Sequence, residues 1–381
     1  MRRVLLALVA ATVGASCTPA DQGSADAPVL ECSRFERYVF VANRTSPEIA
    51  IIDIDLDEVI GRVAIDRIPD QLVVSGTRAK LVASHLDGGS VTVLDLETME
   101  IEAVLELGFP PEQLELDPSG RTFAVSSGAD DRVSVISLKP VEEMFQLSGL
   151  GRHSDLLFSR DTRLLFVASG TAPRVAVIDA WTGSSIEQIN FDDRITAGIA
   201  GLASAGRLGF ALHGESGQIS VFDLRERSQI TTLIVPGPAT RAFPTADGHK
   251  LLVPNERDGT VSNISAWPVR RLAETARLPG ATTMLAIYTG ASGSSALVLS
   301  RDSDRLLVLS LDGGSHGEIS LPAQPEAGAM TDGGRRLYLP LSGSDQVAVI
   351  DMERGRLAKL IDGVGDQPSG VQVAGALGPC H

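Results

Sequence analysis

Three histidines are the side chains of this sequence best suited to ligand binding or proton transfer. His85 and His213 each follow an alternating apolar stretch, and His153 is followed two positions later by Asp155. An imidazole changes charge near neutral pH, so each can act as an acid, a base or a ligand to a metal or haem iron. The alternative for His85 and His213 is that each closes a turn by hydrogen-bonding nearby backbone, and for His153 that it is a solvated loop residue.

Contiguous catalytic motifs are missing from the sequence. There is no Gly-x-Ser-x-Gly, no phosphate-binding loop, no His-Glu-x-x-His and no Cys-x-x-Cys-His. The run Asp53-Ile-Asp55-Leu-Asp57 resembles the beginning of a calcium loop, but it lacks the glycine and the terminal glutamate of such loops. We therefore predict no metal site and no catalytic residue, while an enzyme site assembled from scattered loop residues stays open.

The charge balance excludes one broad class of partner. The 381 residues carry a formal net charge of −15, and only 4% of them are aromatic. Nucleic-acid binding depends on Lys and Arg that neutralise phosphates and on aromatic rings that stack with bases. We therefore expect no nucleic-acid partner, and no membrane contact other than a lipid anchor.

The first residues are typical of an export signal. Arg2 and Arg3 precede an apolar stretch from Val4 to Val13, which is too short to span a bilayer. The small residues before Cys17 resemble a bacterial lipobox, although Gly14 stands where that pattern prefers leucine. We predict a signal peptide at residues 1–16, lipidation of Cys17, a flexible tether at 17–34 and one folded domain at 35–381, with plain secretion as the alternative to lipidation. The protein is then exported, to the periplasm or the outer membrane.

The other two cysteines favour the same compartment. If Cys17 carries lipid, Cys32 and Cys380 are left to pair as a disulfide in an oxidising environment. A metal site with His381 as a further ligand is the alternative, but it lacks a fourth ligand at a recognisable spacing. Because the two cysteines flank the folded region, the disulfide requires the ends of that region to meet.

An internal repeat shows which elements must position these residues. Eight alternating apolar runs end in Asp or Ser at intervals of 41 to 45 residues, at Asp53, Asp95, Ser137, Asp179, Asp223, Ser265, Ser310 and Asp351. Ten residues before each end is a second aligned position, which holds Asn43, His85, Ser127, Ser169, His213, Asn255, Ser300 and Leu341. Four short strands fit into each repeat, which is the pattern of a β-propeller blade. We predict an all-β propeller of eight four-stranded blades, with seven blades as the alternative.

The ends of the chain indicate how the ring closes. The first repeat begins near Arg37 and lacks the innermost strand that the other repeats carry. The segment 368–375 matches the innermost-strand pattern of 69–76, so the C-terminal strand is predicted to complete the N-terminal blade. That closure brings Cys32 and Cys380 to one blade, which agrees with the predicted disulfide.

The candidate site follows from this architecture. The loops between second and third strands and the loops between blades meet on one face of a propeller, around the mouth of its channel; we call this the mouth face. The innermost strands are predicted to begin at Gln71, Gln113, Asp155, Ala197, Arg241 and Thr283. The binding candidates on the mouth face are His153, Asp155, His85, His213, Gln71, Gln113, Arg152 and Arg241. The arginines could pair with carboxylates of a ligand, or they simply solvate the surface.

The repeats also resemble a known family. The segments RYVFVANRTSPEIAIIDIDLDEVIGRVAI and RRLYLPLSGSDQVAVIDMERGRLAKLI are similar to YVTN-type repeats of bacterial extracytoplasmic propellers, which share their form with the haem d1 propeller of cytochrome cd1 nitrite reductase and with amine dehydrogenase heavy chains. Eight blades are closest to the haem d1 group, since the others usually have seven. The resemblance predicts the fold and not the activity, since the relatives have unrelated functions. We expect a non-catalytic, monomeric scaffold that binds a protein or small ligand on the mouth face. The alternative is a haem d1-type tetrapyrrole-binding protein or redox subunit with His153 as the imidazole nearest the ligand.

Overall fold

The computed structural model describes residues 35–192, 194–245, 247–271, 284–290, 293–300, 303–311, 317–331 and 333–373. The predictions for Cys17, Cys32 and Cys380 lie outside these ranges. Within them the chain forms 32 β-strands and one short 3-10 turn at Phe35–Arg37, with no α-helix. No described segment forms a helix of the length and apolar character needed to span a membrane.

The strands follow one another in groups of four. Those of the first half of the chain are β1 Tyr38–Asn43, β2 Glu48–Asp53, β3 Glu58–Ala64, β4 Gln71–Ser75, β5 Lys80–His85, β6 Ser90–Asp95, β7 Glu100–Glu106, β8 Gln113–Leu116, β9 Thr122–Ser127, β10 Arg132–Leu138, β11 Val141–Ser148, β12 His153–Phe158, β13 Leu164–Ser169, β14 Arg174–Asp179, β15 Ser185–Asn190 and β16 Gly201–Ala205. Those of the second half are β17 Leu208–Leu212, β18 Gln218–Asp223, β19 Ser228–Ile234, β20 Phe243–Pro244, β21 Lys250–Asn255, β22 Thr260–Ala266, β23 Val269–Arg271, β24 Met284–Thr289, β25 Ser295–Ser300, β26 Arg305–Ser310, β27 Gly317–Ser320, β28 Ala329–Met330, β29 Arg336–Leu341, β30 Gln346–Asp351, β31 Arg356–Ile361 and β32 Pro368–Val373.

The described strands pair into eight antiparallel four-stranded sheets, which are the blades of a propeller. Blade 1 has the order β3-β2-β1-β32, and blades 2 to 8 each use four consecutive strands. In blade 1, Val41 lies opposite Val371, so the C-terminal strand completes the N-terminal blade. The predicted fold, the number of blades and the mode of ring closure are confirmed.

The hydrophobic core lies between the blades. The second strands are almost entirely buried, whereas an outermost strand such as β7 alternates between exposed and partly buried residues. Phe40 and Ile49 of blade 1 pack with Leu72 and Leu81 of blade 2, and comparable apolar clusters join the remaining neighbours around the ring. Each sheet therefore covers its apolar faces only by contact with two neighbouring sheets.

The aspartates that end the third strands have a local structural function. The carboxylate of Asp179 accepts hydrogen bonds from the backbone N–H of Trp181 at 3.0 Å and of Thr182 at 2.8 Å. Asp95 and Asp223 make the same pair of bonds in their own blades. An Asp that binds the backbone two and three residues ahead fixes a tight turn, which explains why the repeat keeps this residue.

The turns that connect first to second strands and third to fourth strands lie opposite the mouth face, on what we call the base face. The chain reaches the propeller on this face, because β1 begins there at Tyr38. The carbonyl of Arg37 accepts a hydrogen bond from Ile54 in the neighbouring turn, and its guanidinium lies 2.7 Å from Asp53. The first described residues are thus held against the base of blade 1.

Three predicted beginnings of innermost strands are wrong. β12 begins at His153, two residues before Asp155, because His153 pairs with Ser169 across a bulge, and β20 begins at Phe243, two residues after Arg241. The innermost strand of blade 5 begins at Gly201, not at Ala197, because the preceding connection is longer and buries Ile195 and Ile199. Gly201 pairs with Leu212, next to His213, as Gln71 pairs with Ser84, next to His85. Gly201 therefore occupies the register position of Gln71. Thr283 lies outside the described residues.

Candidate functional site at the channel mouth

Around the channel mouth, polar side chains of the innermost strands bridge one blade to the next. The amide of Gln71 donates to the carbonyl of Glu112 at 3.0 Å, and the amide of Gln113 donates to the carbonyl of Ser154. The hydroxyl of Ser154 in turn donates to the carbonyl of Ile199 at 2.5 Å. Gln71 and Gln113 therefore connect blades 2, 3 and 4 through their amide N–H groups.

Asp155 forms a similar bridge from blade 4 to blade 5. Its carboxylate accepts the backbone N–H of Leu202 at 2.6 Å and that of Leu156 at 2.9 Å. Burial raises the pKa of Asp155 to about 7, although these two amides favour the charged form. The carboxyl group therefore exchanges its proton near neutral pH.

Glu115 is a site residue that the sequence reasoning missed. It lies on β8, the innermost strand of blade 3, and its side chain is partly exposed. Burial, and then the nearby charge of Asp155, raise the pKa of Glu115 to about 8. One feature of the sequence could have identified it: Glu115 is acidic, whereas the aligned positions of the neighbouring blades hold Val73 and Leu157. Glu115 and Asp155 are therefore two carboxyl groups with raised pKa values on adjacent innermost strands.

His85 is buried at the end of β5. Its Nδ1–H donates to the carbonyl of Ile68 at 2.9 Å, and its Nε2 lies 2.8 Å from the hydroxyl of Thr92, which itself donates to Asp66. The imidazole joins the connection between blades 1 and 2 to the third strand of blade 2.

His213 occupies the same position in blade 5 and is fully buried. Its Nδ1–H donates to the carbonyl of Ala197 at 3.3 Å, and the hydroxyl of Ser220 donates to Nε2 at 2.8 Å. The rings of His213 and Phe191 are nearly perpendicular, in a T-shaped arrangement with a centroid distance of 5.8 Å. Burial lowers the pKa of His213, so this imidazole is neutral at pH 7.

His153 begins β12 and is only 6% exposed. Its Nδ1 lies 3.4 Å from the carbonyl of Gly151, and its Nε2 is buried with no hydrogen-bond partner of good geometry in the described part of the chain, although the backbone of Arg132 lies close enough to affect the pKa of the ring. Burial lowers the pKa of His153, and the charges of Asp131 and Glu112 on blade 3 partly oppose that shift. This imidazole therefore differs from His85 and His213 in having an unused ring nitrogen.

The mouth face is strongly acidic. Its described connections contain six arginines, Arg44, Arg67, Arg152, Arg194, Arg241 and Arg257, and no lysine. They contain fifteen carboxylates, Asp66, Asp70, Asp87, Glu112, Asp130, Asp131, Asp192, Glu215, Glu256, Asp258, Asp304, Glu326, Asp345, Asp362 and Asp366. The candidates Arg152 and Arg241 are exposed on this face.

The base face is nearly balanced in charge. Its described connections, with the 3-10 turn, contain nine carboxylates, Glu36, Asp55, Asp57, Glu97, Asp117, Asp161, Glu226, Asp247 and Glu353. They contain eleven basic residues, Arg37, Arg78, Arg121, Lys139, Arg160, Arg163, Arg207, Arg225, Arg227, Arg335 and Arg354. The excess of negative charge in the loops is therefore carried by the mouth face.

The structure brings only some of the candidates together. Gln113, His153, Asp155 and Glu115 lie on the adjoining innermost strands of blades 3 and 4, where Gln113 bonds the carbonyl of Ser154 and Glu115 lies within range of the charge of Asp155. His85 and His213 lie three blades apart, each in its own network. Among the described residues, no three His, Cys, Asp or Glu side chains are grouped as metal ligands. The chemistry available at the mouth is proton exchange and the binding of positive charge.

The fold and this mouth define an eight-bladed β-propeller with an acidic loop face. No family model matches the sequence, and no curated protein matches it. Among solved structures, the chain is similar to dihydro-heme d1 dehydrogenase NirN in complex with DHE, with a TM-score of 0.73 and 14% identity over 94% of this chain and 79% of that one.

Two further solved propellers are similar to this chain. Apo AztD from Citrobacter koseri has a TM-score of 0.66 and 13% identity, covering 90% of this chain and 98% of its own. BamB from Moraxella catarrhalis has a TM-score of 0.65 and 14% identity, covering 85% of this chain and 95% of its own. At these identities the likenesses show the fold, and the function has to be argued from the site.

Proposed function

We propose that this protein is an exported, lipid-anchored propeller that acts as a non-catalytic scaffold and binds a basic partner on its mouth face. The observation that carries the proposal is the fifteen carboxylates that stand against six arginines in the described loops of that face. Such a surface attracts a positively charged partner and repels a negatively charged one. Export and anchoring rest on the signal-like residues before Cys17.

The hydrogen bonding at the mouth supports a scaffold over an enzyme. His85 and His213 use both ring nitrogens in contacts within the protein, and Gln71 and Gln113 use their amides to join blades. Groups held in this way keep loops in place and are not free to move a proton to or from a substrate. Exposed acidic side chains such as Asp87 and Asp130 are free to meet a partner.

The experiment measures binding of a fluorescent oligolysine peptide to the purified chain at several salt concentrations. The double variant Asp87→Lys/Asp130→Lys reverses two exposed charges of the mouth face, and Glu97→Lys reverses one on the base face as the control. We expect binding that weakens with salt, is lost in the double variant and is retained in the control. Equal binding by all three proteins contradicts the proposal.

A second candidate function is the binding of a haem d1-type tetrapyrrole, and the observation that favours it is the unpartnered Nε2 of His153. An imidazole nitrogen with no partner in the protein can serve as an axial ligand to a haem iron, provided that neighbouring side chains move to expose it, because His153 is buried. NirN, the propeller similar in fold, is a dihydro-heme d1 dehydrogenase by name. The absorption spectrum of the purified protein tests this candidate, since a bound tetrapyrrole absorbs visible light and an empty scaffold does not.

A further inference from the structure

Two exposed tryptophans stand at one aligned position of the repeat. Asp179 and Ser265 are both aligned ends of the repeat. Trp181 lies two residues after Asp179, and Trp267 lies two residues after Ser265. In the other described repeats this position holds a charged residue: Asp55, Glu97, Lys139, Arg225 or Glu353. The two tryptophans, which are the only ones in the chain, replace charge at the tips of turns on the base face.

Their exposure is unusual for such large rings. Trp267 is 81% exposed and Trp181 is 44% exposed. Leu56, in the corresponding turn of blade 1, is 55% exposed. One exposed apolar side chain is ordinary, but three at the tips of turns on the same face offer apolar surface that a partner of this face would bury.

The arrangement of the three tips constrains what can cover them. Leu56, Trp181 and Trp267 belong to blades 1, 4 and 6, so they are separated around the ring by three, two and three blades. A triangle with this spacing encloses the channel axis of an eight-bladed ring. Only a broad, flat surface meets all three tips at once. The two backbone hydrogen bonds to the Asp179 carboxylate also fix the turn that carries Trp181, so its shape does not depend on a partner.

We propose that the base face rests on a phospholipid bilayer, with Trp181, Trp267 and Leu56 inserted at the level of the headgroups. Tryptophan is the side chain most suited to that level, because its ring is apolar while its N–H can reach water and headgroups. This contact is additional to the predicted lipid anchor, and it is independent of what the mouth face binds.

The path of the chain supports the same orientation, and this support rests on the lipid anchor proposed above. Phe35, the first described residue, lies at the base of blade 1, and it directly follows the tether that we predict at residues 17–34. A lipid on Cys17 would therefore hold the base face towards the bilayer. Anchoring by one lipid group gains strength from a second contact of this kind.

The charges of the two faces also favour an orientation with the base face towards the membrane. The nearly balanced base face is not repelled by anionic headgroups, whereas the acidic mouth face is. The net charge of −15 argues against membrane contact only when it is averaged over the whole surface. With the base face down, the mouth face points away from the membrane and stays open to a partner.

The test uses the chain without residues 1–16 and with Cys17→Ser, which leaves every described strand in place and removes the lipid. Vesicles of phosphatidylethanolamine and phosphatidylglycerol are added, and the fluorescence of the two tryptophans is excited where tyrosine does not absorb. We expect the emission to shift to shorter wavelength and to be quenched by brominated lipid. The variant Trp181→Gln/Trp267→Gln should bind these vesicles at least about tenfold more weakly in sedimentation.

The matched control is Ile68→Gln/Leu86→Gln, which removes two exposed apolar side chains from the mouth face. It should bind vesicles like the parent chain. Absence of an emission shift, or equal sedimentation of the tryptophan variant and the parent, overturns the proposal. A dimer in analytical ultracentrifugation that the tryptophan variant loses also overturns it, because a second copy of the chain is then what covers the base face.

Discussion

The carboxylate of Asp155 in blade 4 accepts a hydrogen bond of 2.6 Å from the backbone N–H of Leu202 in blade 5. One side chain thus joins two blades at the channel mouth while its burial raises its own pKa to about 7. Burial also raises the pKa of Glu115 on the neighbouring strand, to about 8, so both carboxyl groups change charge near neutral pH.

We predict that Glu115→Gln stabilises the protein at pH 8 to 9 and leaves it unchanged near pH 4. The folded-state pKa of Glu115 is raised, so the folded protein holds a proton that the unfolded chain has released between about pH 4 and 8. The wild type therefore loses stability as pH rises through this range, and the glutamine variant loses less. Thermal unfolding of both proteins across the range is the measurement, with Glu97→Gln as the exposed control. Parallel curves contradict the prediction.

We predict that Asp179→Ala destabilises the protein by about 1 to 2 kcal/mol, because two backbone N–H groups of the turn lose their acceptor. Asp179→Asn keeps an acceptor and should lose less. Those hydrogen bonds lower the pKa of Asp179, so the carboxylate stabilises the fold above the unfolded pKa near 4, and this contribution disappears as pH falls through the lower folded value. Urea unfolding at pH 7 and at pH 3 is the measurement. A deficit of the alanine variant that is equal at both pH values would disprove the assignment.

We predict that His213→Ala costs roughly 2 to 3 kcal/mol, since it opens a cavity beside Phe191 and leaves the carbonyl of Ala197 without its donor. His213→Gln retains a donor and should recover part of the loss. Chemical denaturation measures both variants. A variant as stable as the wild type would show that the imidazole has no structural function.

We predict that His153→Ala abolishes any tetrapyrrole binding if the second candidate function is correct. Because His153 is buried, the variant should also lower the melting temperature by a few degrees, so His153→Gln serves as a partner variant of closer volume. Visible absorption after mixing with haem is the measurement. A wild type that stays colourless, or an alanine variant that binds as well as the wild type, rejects His153 as the ligand.

We predict a disulfide between Cys32 and Cys380. Val39 lies opposite Val373; in the sequence Cys32 is seven positions before Val39, and Cys380 is seven positions after Val373. Seven residues on each side give enough chain for the two cysteines to pair. Intact mass before and after reduction, on protein purified without reductant, should increase by two hydrogens. An unchanged mass means that the ring is held by strand pairing alone.

The repeat made the fold predictable and left much of the site hidden. Period-2 alternation and a turn residue at a constant interval determine the strands and their register, which is why blade number and closure follow from the sequence. The position of Gly201 could not be predicted, since it depends on how the connection 191–200 packs.

The environment of a side chain was harder to predict than its place in the repeat. His85, His153 and His213 occupy predictable places, but their burial depends on the neighbouring blade and its connections. Glu115 was missed because the sequence around a single acidic residue in a strand does not show whether its side chain faces solvent or a channel. Contacts between repeats, not the repeats themselves, determine these environments.

The pairing of β1 with β32 also has a consequence for biosynthesis. Val41 and Val371 are partners that lie 330 positions apart, so the first blade cannot be completed until almost the whole chain has been made. Until then, one edge of β1 presents unpaired N–H and C=O groups, to which a strand of another chain can bind. Pairing over such a separation is slow. The newly made chain therefore needs protection from aggregation for longest at its N-terminal blade.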